Sequence, residues 1–522
     1  MPKPKNMSVA ESAIPMAIVL LAALLRLPLL DIKPPHFDEG VNGFFVDQIT
    51  RTGFYHYDPA NFHGPMHMYV LFLFQTLFGR HIWALRLPEV IVSLATVWLV
   101  TRFDRFLDRR ACWFAALAMA VSPAMVFYSR YAIHESWLVF FLVLLAWGAA
   151  GLWVSGERKY LWAAGLSLAG MLLTKETYCI HVVCFLLAAG CVWLLEKVSP
   201  PTFPPLAKQR WTGADLGAVL AVSTFAVVFF YSGGFFDRSS LKGIWQTYAI
   251  WGQRGSQGAG QEKDWWYWLW LMKRYEQPAL LGMVCCLVAL LPKQNRLLRF
   301  LSIYGVGTWL AYSLVHYKTP WCIVSLLWPF YFALGAVVAA LTTRYGKAVS
   351  IVAVAACVLV SGALSVRLNF LSKPGSMELH ATDEREPYVY VQTYREIEKL
   401  TGPVFKLVEL DPRNYHLTGL FILSSYHPLA WVFGDFPHVA FFDEDKSPEE
   451  ADADFLLVEE DRVEDTEKTL KGSYFTDSLH LRDAMPDSKL YLSFGKFSRI
   501  FPGRAPDFSP SDRPSSPESS AR

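Results

Sequence analysis

About eleven stretches of the chain are apolar over a length that crosses a bilayer: residues 12–30, 84–101, 112–128, 135–154, 160–175, 177–195, 213–232, 277–291, 299–316, 321–341 and 348–366. Residues 66–78 are apolar but short, which predicts a helix lying in the interface or half inserted. Between the first two spans, Val41, Phe44, Phe45 and Ile49 recur at helical spacing, with Asn42, Asp47 and Arg51 among them. That pattern predicts an amphipathic helix in the membrane interface. Near residue 370 the pattern changes. Runs at 404–410, 429–433, 438–442 and 454–458 read as buried strands, and 394–400 and 415–425 as helices. The expected architecture is a polytopic α-helical membrane domain over 1–369, a small α/β domain over 370–503, and a Ser- and Pro-rich disordered tail over 504–522.

Composition agrees with the spans. The chain is 53% hydrophobic and only 18% charged, less charge than a soluble globular protein carries. The net charge of +2 matters less than where the charges fall. Lys3 and Lys5 precede the first span, and every second loop thereafter is basic: Arg102, Arg105, Arg109 and Arg110; Arg158 and Lys159; Lys197, Lys208 and Arg210; Lys293, Arg296 and Arg299; Arg344 and Lys347. The positive-inside rule places those loops and the N-terminus in the cytoplasm. The acidic α/β domain then lies outside. The first segment lacks a small-residue cleavage site before its Pro-rich turn, so it reads as a span rather than a signal peptide. The eight cysteines lie in or beside apolar segments at spacings that suggest neither a disulfide framework nor a metal site. Nucleic acid is not among the expected partners.

The non-basic loops carry the candidate chemistry. Asp38 and Glu39 follow the first span directly, where a carboxylate at the water–lipid boundary could serve a lipid-linked substrate. Asp38 could equally be the N-cap of the interfacial helix. Ionisable residues recur at membrane depth in the other external loops: Arg130 and Glu135, Lys175 and Glu176, His316 and Lys318. Charges at that depth are costly and tend to be paired or functional. The loop at 233–277 has a Gly-rich middle, 252–260, expected to be mobile and to act as a lid, and it ends in the aromatic run Trp265–Trp270.

In order and topology these pieces resemble the GT-C glycosyltransferases of the protein O-mannosyltransferase and lipid A aminoarabinose transferase type. The resemblance rests on Phe37-Asp38-Glu39, Tyr57-Asp58-Pro59 with His63-Gly64-Pro65, Arg86-Leu87-Pro88, Tyr128-Ser129-Arg130, Thr174-Lys175-Glu176, Tyr275-Glu276 and His316 to Trp321. More narrowly the chain is similar to a bacterial and archaeal branch named flippase-activity-associated membrane proteins. It departs from the pattern at His134-Glu135, where an Arg or Asn before an Asp is expected.

The resemblance implies a multi-pass enzyme of the bacterial inner membrane. It would move a sugar from a polyprenyl-phosphate donor to a lipid, glycan or protein acceptor on the extracytoplasmic face. Asp38 would be the general base, with Glu39 and Glu135 as further catalytic acids. Arg130, Lys175, His316 and Lys318 would bind the donor phosphate, and Tyr57, His63 and Arg86 would belong to the substrate loop. No cofactor is required. A divalent metal on His36, Asp38 and Glu135, with His56, His63 and His67 nearby in sequence, is an alternative. A transporter or accessory protein for lipid-linked saccharides is the rival function, although no repeated halves are visible.

Overall fold

The computed structural model describes residues 9–510, apart from 62, 202–203, 258–259, 377, 444–447, 449 and 484. The chain divides into two compact units. The first comprises Met1–Ile32, Gln48–Ala381 and Glu386–Tyr388; the second comprises Lys33–Asp47, Thr382–Arg385 and Val389–Arg522. The stretch that follows the first span thus belongs with the C-terminal part of the chain, while residues 370–381 belong with the helices.

The helices up to residue 370 are α1 (Val9–Arg26), α2 (Phe37–Thr52), α3 (Met66–Phe78), α4 (Ile82–Thr101), α5 (Arg109–Val121), α6 (Pro123–Tyr128), α7 (Glu135–Ser155), α8 (Arg158–Leu172), α9 (Tyr178–Val198), α10 (Gly213–Tyr231), α11 (Gly243–Gln257), α12 (Tyr267–Tyr275), α13 (Gln277–Ala289), α14 (Arg296–Leu314), α15 (Val324–Tyr345), α16 (Lys347–Cys357) and α17 (Ala363–Phe370). All but the first part of α2 belong to the first unit. Among the described residues, six helical segments are long and apolar enough to cross a membrane: Ile82–Arg105, Glu135–Ser155, Tyr178–Val198, Gly213–Tyr231, Pro320–Tyr345 and Lys347–Phe370. The protein is a multi-pass membrane protein. The outer faces of these helices carry exposed apolar side chains such as Leu186, Leu187 and Leu220, as a lipid-facing surface requires.

Two predicted spans are not single α-helices. The 112–128 stretch breaks at Ser122, whose hydroxyl accepts the Met125 N–H at 3.3 Å and starts α6 with Pro123 in the first turn. The last span passes through a π-turn at Val358–Gly362. The Gly-rich loop is also more regular than its composition suggests. Residues up to Gln257 continue α11, so Gly252 lies inside a helix rather than in an irregular loop. The rest of that prediction includes residues 258–259, which lie outside the described residues. Close helix packing relies on glycine where α7 meets α8: a Cβ on Gly151 would stand 2.0 Å from the Tyr160 ring.

The second unit holds a five-stranded sheet in the order β2-β1-β3-β5-β4, with β1 (Gly419–Ile422), β2 (Val439–Phe442), β3 (Phe455–Glu459), β4 (Tyr474–Leu479) and β5 (Ser488–Ser493). β1 pairs in parallel with β2 and β3; β5 runs antiparallel to β3 and β4. The strands expected at 438–442 and 454–458 are β2 and β3. Three expectations fail. Residues 404–410 lie in helix α18 (Glu398–Leu410), because Leu400, Val404, Leu407 and Val408 form one buried helical stripe. Residues 429–433 are mostly the short helix α19 (Leu429–Val432). The region 415–425 contains β1 rather than a helix, since a four-residue strand buried on both faces shows no alternation. The tail prediction also begins too early. Phe508 bridges Tyr474 on β4, and residues 511–522 lie outside the described residues.

Candidate active site

The local structure at Asp38 answers whether it is a cap. His36 is the N-cap of α2: its carbonyl accepts the Gly40 N–H at 3.0 Å, and its Nδ1 accepts the Asp38 N–H at 3.0 Å. Glu39 returns the bond, its carboxylate accepting the His36 N–H at 2.9 Å. This is a capping box with histidine in the place of serine or threonine. His36 Nε2 lies 2.6 Å from the Tyr390 carbonyl. With Nδ1 accepting, the ring proton that faces the Tyr390 carbonyl belongs on Nε2. Glu39 is fully buried in this box. Asp38 is left at the second helical position with its side chain 35% exposed, 3.9 Å from His36 Nδ1. The cap does not use its carboxylate.

The same unit fixes α2 from the side. A Cβ on Gly40 would lie 2.3 Å from Pro428 Cα, and one on Gly43 would lie 2.3 Å from Trp431, so both positions need glycine. Arg482 covers the Phe37 ring at 4.5 Å and donates to the His427 carbonyl at 2.6 Å and to Ser425 Oγ at 2.5 Å. Burial pulls the Arg482 guanidinium down to about 10, while the charges of Asp38 and Glu459 act in the other direction. Nothing in the sequence marks Arg482, which lies far from Asp38 along the chain.

In the first unit a second cluster forms. The loop before α3 is clamped to the loop after α8 by backbone bonds from Gly64 N–H to Thr174 and from Met66 N–H to Leu173, both 3.1 Å. A side chain at Gly64 would meet the Leu173 carbonyl at 2.2 Å. This contact brings His63 Nδ1 to 2.9 Å from Glu176. The His134 ring lies between those of His63 and His67, at 4.3 and 4.2 Å. His67 and Trp137 share Glu89, at 2.8 and 2.9 Å. Beside them Lys175 and Glu135 form a buried ion pair, and the Lys175 ammonium lies 3.6 Å from Cys322 Sγ. Of the predicted site residues, Glu135, Lys175 and His63 therefore come together, with Glu176 as a fourth. His134 and Glu89 received no role from sequence, although His134 adjoins Glu135.

Other candidates are engaged elsewhere. Arg130 is buried and donates to the carbonyls of Arg26, Pro28 and Leu29 at 2.7–2.8 Å, with Phe370 under its guanidinium. It closes the C-terminal end of α1, an engagement that its expected place in a phosphate clamp did not include. Arg86 donates to the Leu30 carbonyl at 2.6 Å and lies over Tyr131. Tyr57 is bonded to Thr247 at 2.5 Å and tethers α11. The Lys318 ammonium donates to the Lys263 carbonyl at 3.0 Å and to that of Val315, and burial lowers its affinity for the proton. His316 is exposed, with its carbonyl bonded to the Lys263 N–H at 3.3 Å. Among the described residues no three His, Cys, Asp or Glu side chains are placed together as metal ligands, so the alternative set of His36, Asp38 and Glu135 gains no support.

Residues 62–231 match the family model described as dolichyl-phosphate-mannose-protein mannosyltransferase. The crystal structure of ArnT from Cupriavidus metallidurans bound to undecaprenyl phosphate is similar over 91% of this chain and 97% of its own, at 13% identity and a TM-score of 0.60. The same protein in the apo state is similar over 93% of this chain and 98% of its own, at 14% identity and a TM-score of 0.57. No curated protein matches the chain.

Proposed function

We propose that this chain, of the GT-C glycosyltransferase type by its fold and by the family match over residues 62–231, transfers a sugar from a polyprenyl-phosphate donor to an acceptor outside the membrane, with Asp38 as general base. The observation that carries this reading is the capping box: with His36 and Glu39 closing the helix, Asp38 holds a partly exposed carboxylate in its first turn. A base so placed can take the acceptor hydroxyl proton as the sugar–phosphate bond breaks. Glu39, held in the box, acts on Asp38 through the helix start rather than on the acceptor.

The departing phosphate needs a cation in a partly dry site, and we assign that part to Lys175, buried beside Glu135 in the first unit. Its partner Glu135 orients it until a phosphate shares it. Lys318 and His316 are the second choice, because Lys318 already serves two backbone carbonyls. Beside Glu176 begins an apolar groove of about 540 Å³ between α9 and α14, lined from Cys179 and Leu314 down to Cys191 and Ile303. It would receive the prenyl chain. The undecaprenyl phosphate bound by the similar ArnT structure is the model for this donor.

The test is genetic and chemical together. A deletion strain loses a defined glycolipid or glycan; the wild-type gene restores it, and an Asp38→Asn gene expressed to the same level does not. An unchanged glycan and glycolipid profile on deletion would count against the enzyme and leave the transport reading.

A further inference from the structure

A second apolar space lies at the opposite end of the same helices. α7, α9 and α14 enclose a cavity of about 250 Å³. It exists because Ala146, Ala149 and Ala150 put small side chains on one face of α7, and Ala189 does the same on α9. Phe185 and Phe300, ring centroids 4.5 Å apart, form part of its wall. The lining between Ala146 and Trp153 lies roughly 16–27 Å along α7 from Glu135, at the helical rise per residue. It is separate from the donor site proposed above and does not depend on it.

The mouth is built from charged and aromatic residues. Arg296 donates to both carboxylate oxygens of Glu196, one at 2.5 Å, and its guanidinium lies 4.2 Å from the Trp153 ring centroid. Trp153 is held in turn by its N–H to the Pro204 carbonyl, at 3.2 Å. Next to this group, the exposed Lys197 ammonium sits 3.8 Å from the centroid of Trp193, another lining residue. The rim therefore carries a carboxylate against two cations, Arg296 and Lys197, with the rings of Trp153 and Trp193 beside them.

We propose that this cavity binds one acyl chain of an anionic phospholipid from the leaflet flanked by the basic loops, with the lipid phosphate between Lys197 and Arg296. The apolar walls exclude a polar metabolite. The positive rim favours a headgroup with net negative charge over a zwitterionic one, whose cationic group would meet Lys197.

Purified full-length protein in a neutral detergent tests this by native mass spectrometry, with phosphatidylglycerol and phosphatidylcholine of identical acyl chains. Wild type should retain one phosphatidylglycerol with a preference of about fivefold or more over phosphatidylcholine, the size expected for one cation near a headgroup. Lys197→Gln, at an exposed position, should bring the two lipids to equal retention. Ala149→Leu, which fills the cavity, should abolish retention of both; Ala146→Leu is the second filling variant if the first fails to fold. Inorganic phosphate should not displace the lipid. Equal retention of the two lipids by wild type, unchanged preference in Lys197→Gln, or a filled cavity that still retains phosphatidylglycerol would each overturn the assignment and reduce the bound lipid to the general boundary layer.

Discussion

His36, Glu39 and Asp38 divide the work at the start of one helix. His36→Ala removes the acceptor for the Asp38 N–H and should destabilise the start of α2 by about 1 kcal/mol, whereas His36→Asn keeps a capping side chain. Amide hydrogen exchange over residues 37–41 should quicken in the first variant and stay near wild type in the second. Lys175 faces the opposite constraint. Lys175→Met leaves Glu135 buried without a partner and should cost about 3–5 kcal/mol in unfolding free energy. Adding Glu135→Gln should recover much of that stability without recovering transfer, and melting temperatures matched with transfer assays check both. A pH effect belongs at Glu384. Burial and then Asp483 raise its carboxyl from 4.5 to about 7, and Tyr394 donates to it. A folded pKa above the unfolded one means that the folded state binds the extra proton. Stability of the second unit should therefore fall as pH rises from about 4.5 to about 7 and level off above. Glu384→Gln should flatten that dependence in thermal unfolding measured across the range.

At the scale of elements, most of α2, up to Asp47, is a piece of the loop after α1 that folds with the C-terminal sheet unit. Gly40→Ala would place a methyl group 2.3 Å from Pro428 Cα, a backbone atom that cannot rotate away. We expect the variant to loosen α2 while leaving the capping box possible, with faster exchange along α2 and transfer lowered on the order of tenfold or more through misplacement of Asp38. The helices of the membrane unit were legible in sequence because long apolar runs report directly on burial in lipid. The carboxylate pair after the first span was legible because its position is unusual. Less legible were the breaks at Ser122 and at Val358–Gly362, where a local motif interrupts a continuous apolar run. Short elements such as β1 and α19 offer too few residues for any period to show. The partners of the site, Arg482 for α2 and Leu173 for Gly64, arise from packing between distant segments, and nothing in either neighbourhood signals the other.

For the whole molecule, an identity of 13% beside a TM-score of 0.60 means that the fold is held by the pattern of apolar segments far more than by particular side chains. The placement of the basic loops sets the expected orientation. Reporter fusions after Arg158 and after Gly375 should read cytoplasmic and external, respectively, and a cytoplasmic reading at Gly375 would remove the C-terminal sheet unit and its α2 from the donor side of the membrane. The account then reduces to one carboxylate. Purified Asp38→Asn, matched to wild type in melting temperature, should bind polyprenyl-phosphate sugar nearly as wild type does and lose transfer by about 10²–10⁴-fold, the loss expected for a general base. Wild-type turnover in that variant would contradict the central claim, since Asn cannot take the proton and the cap belongs to His36.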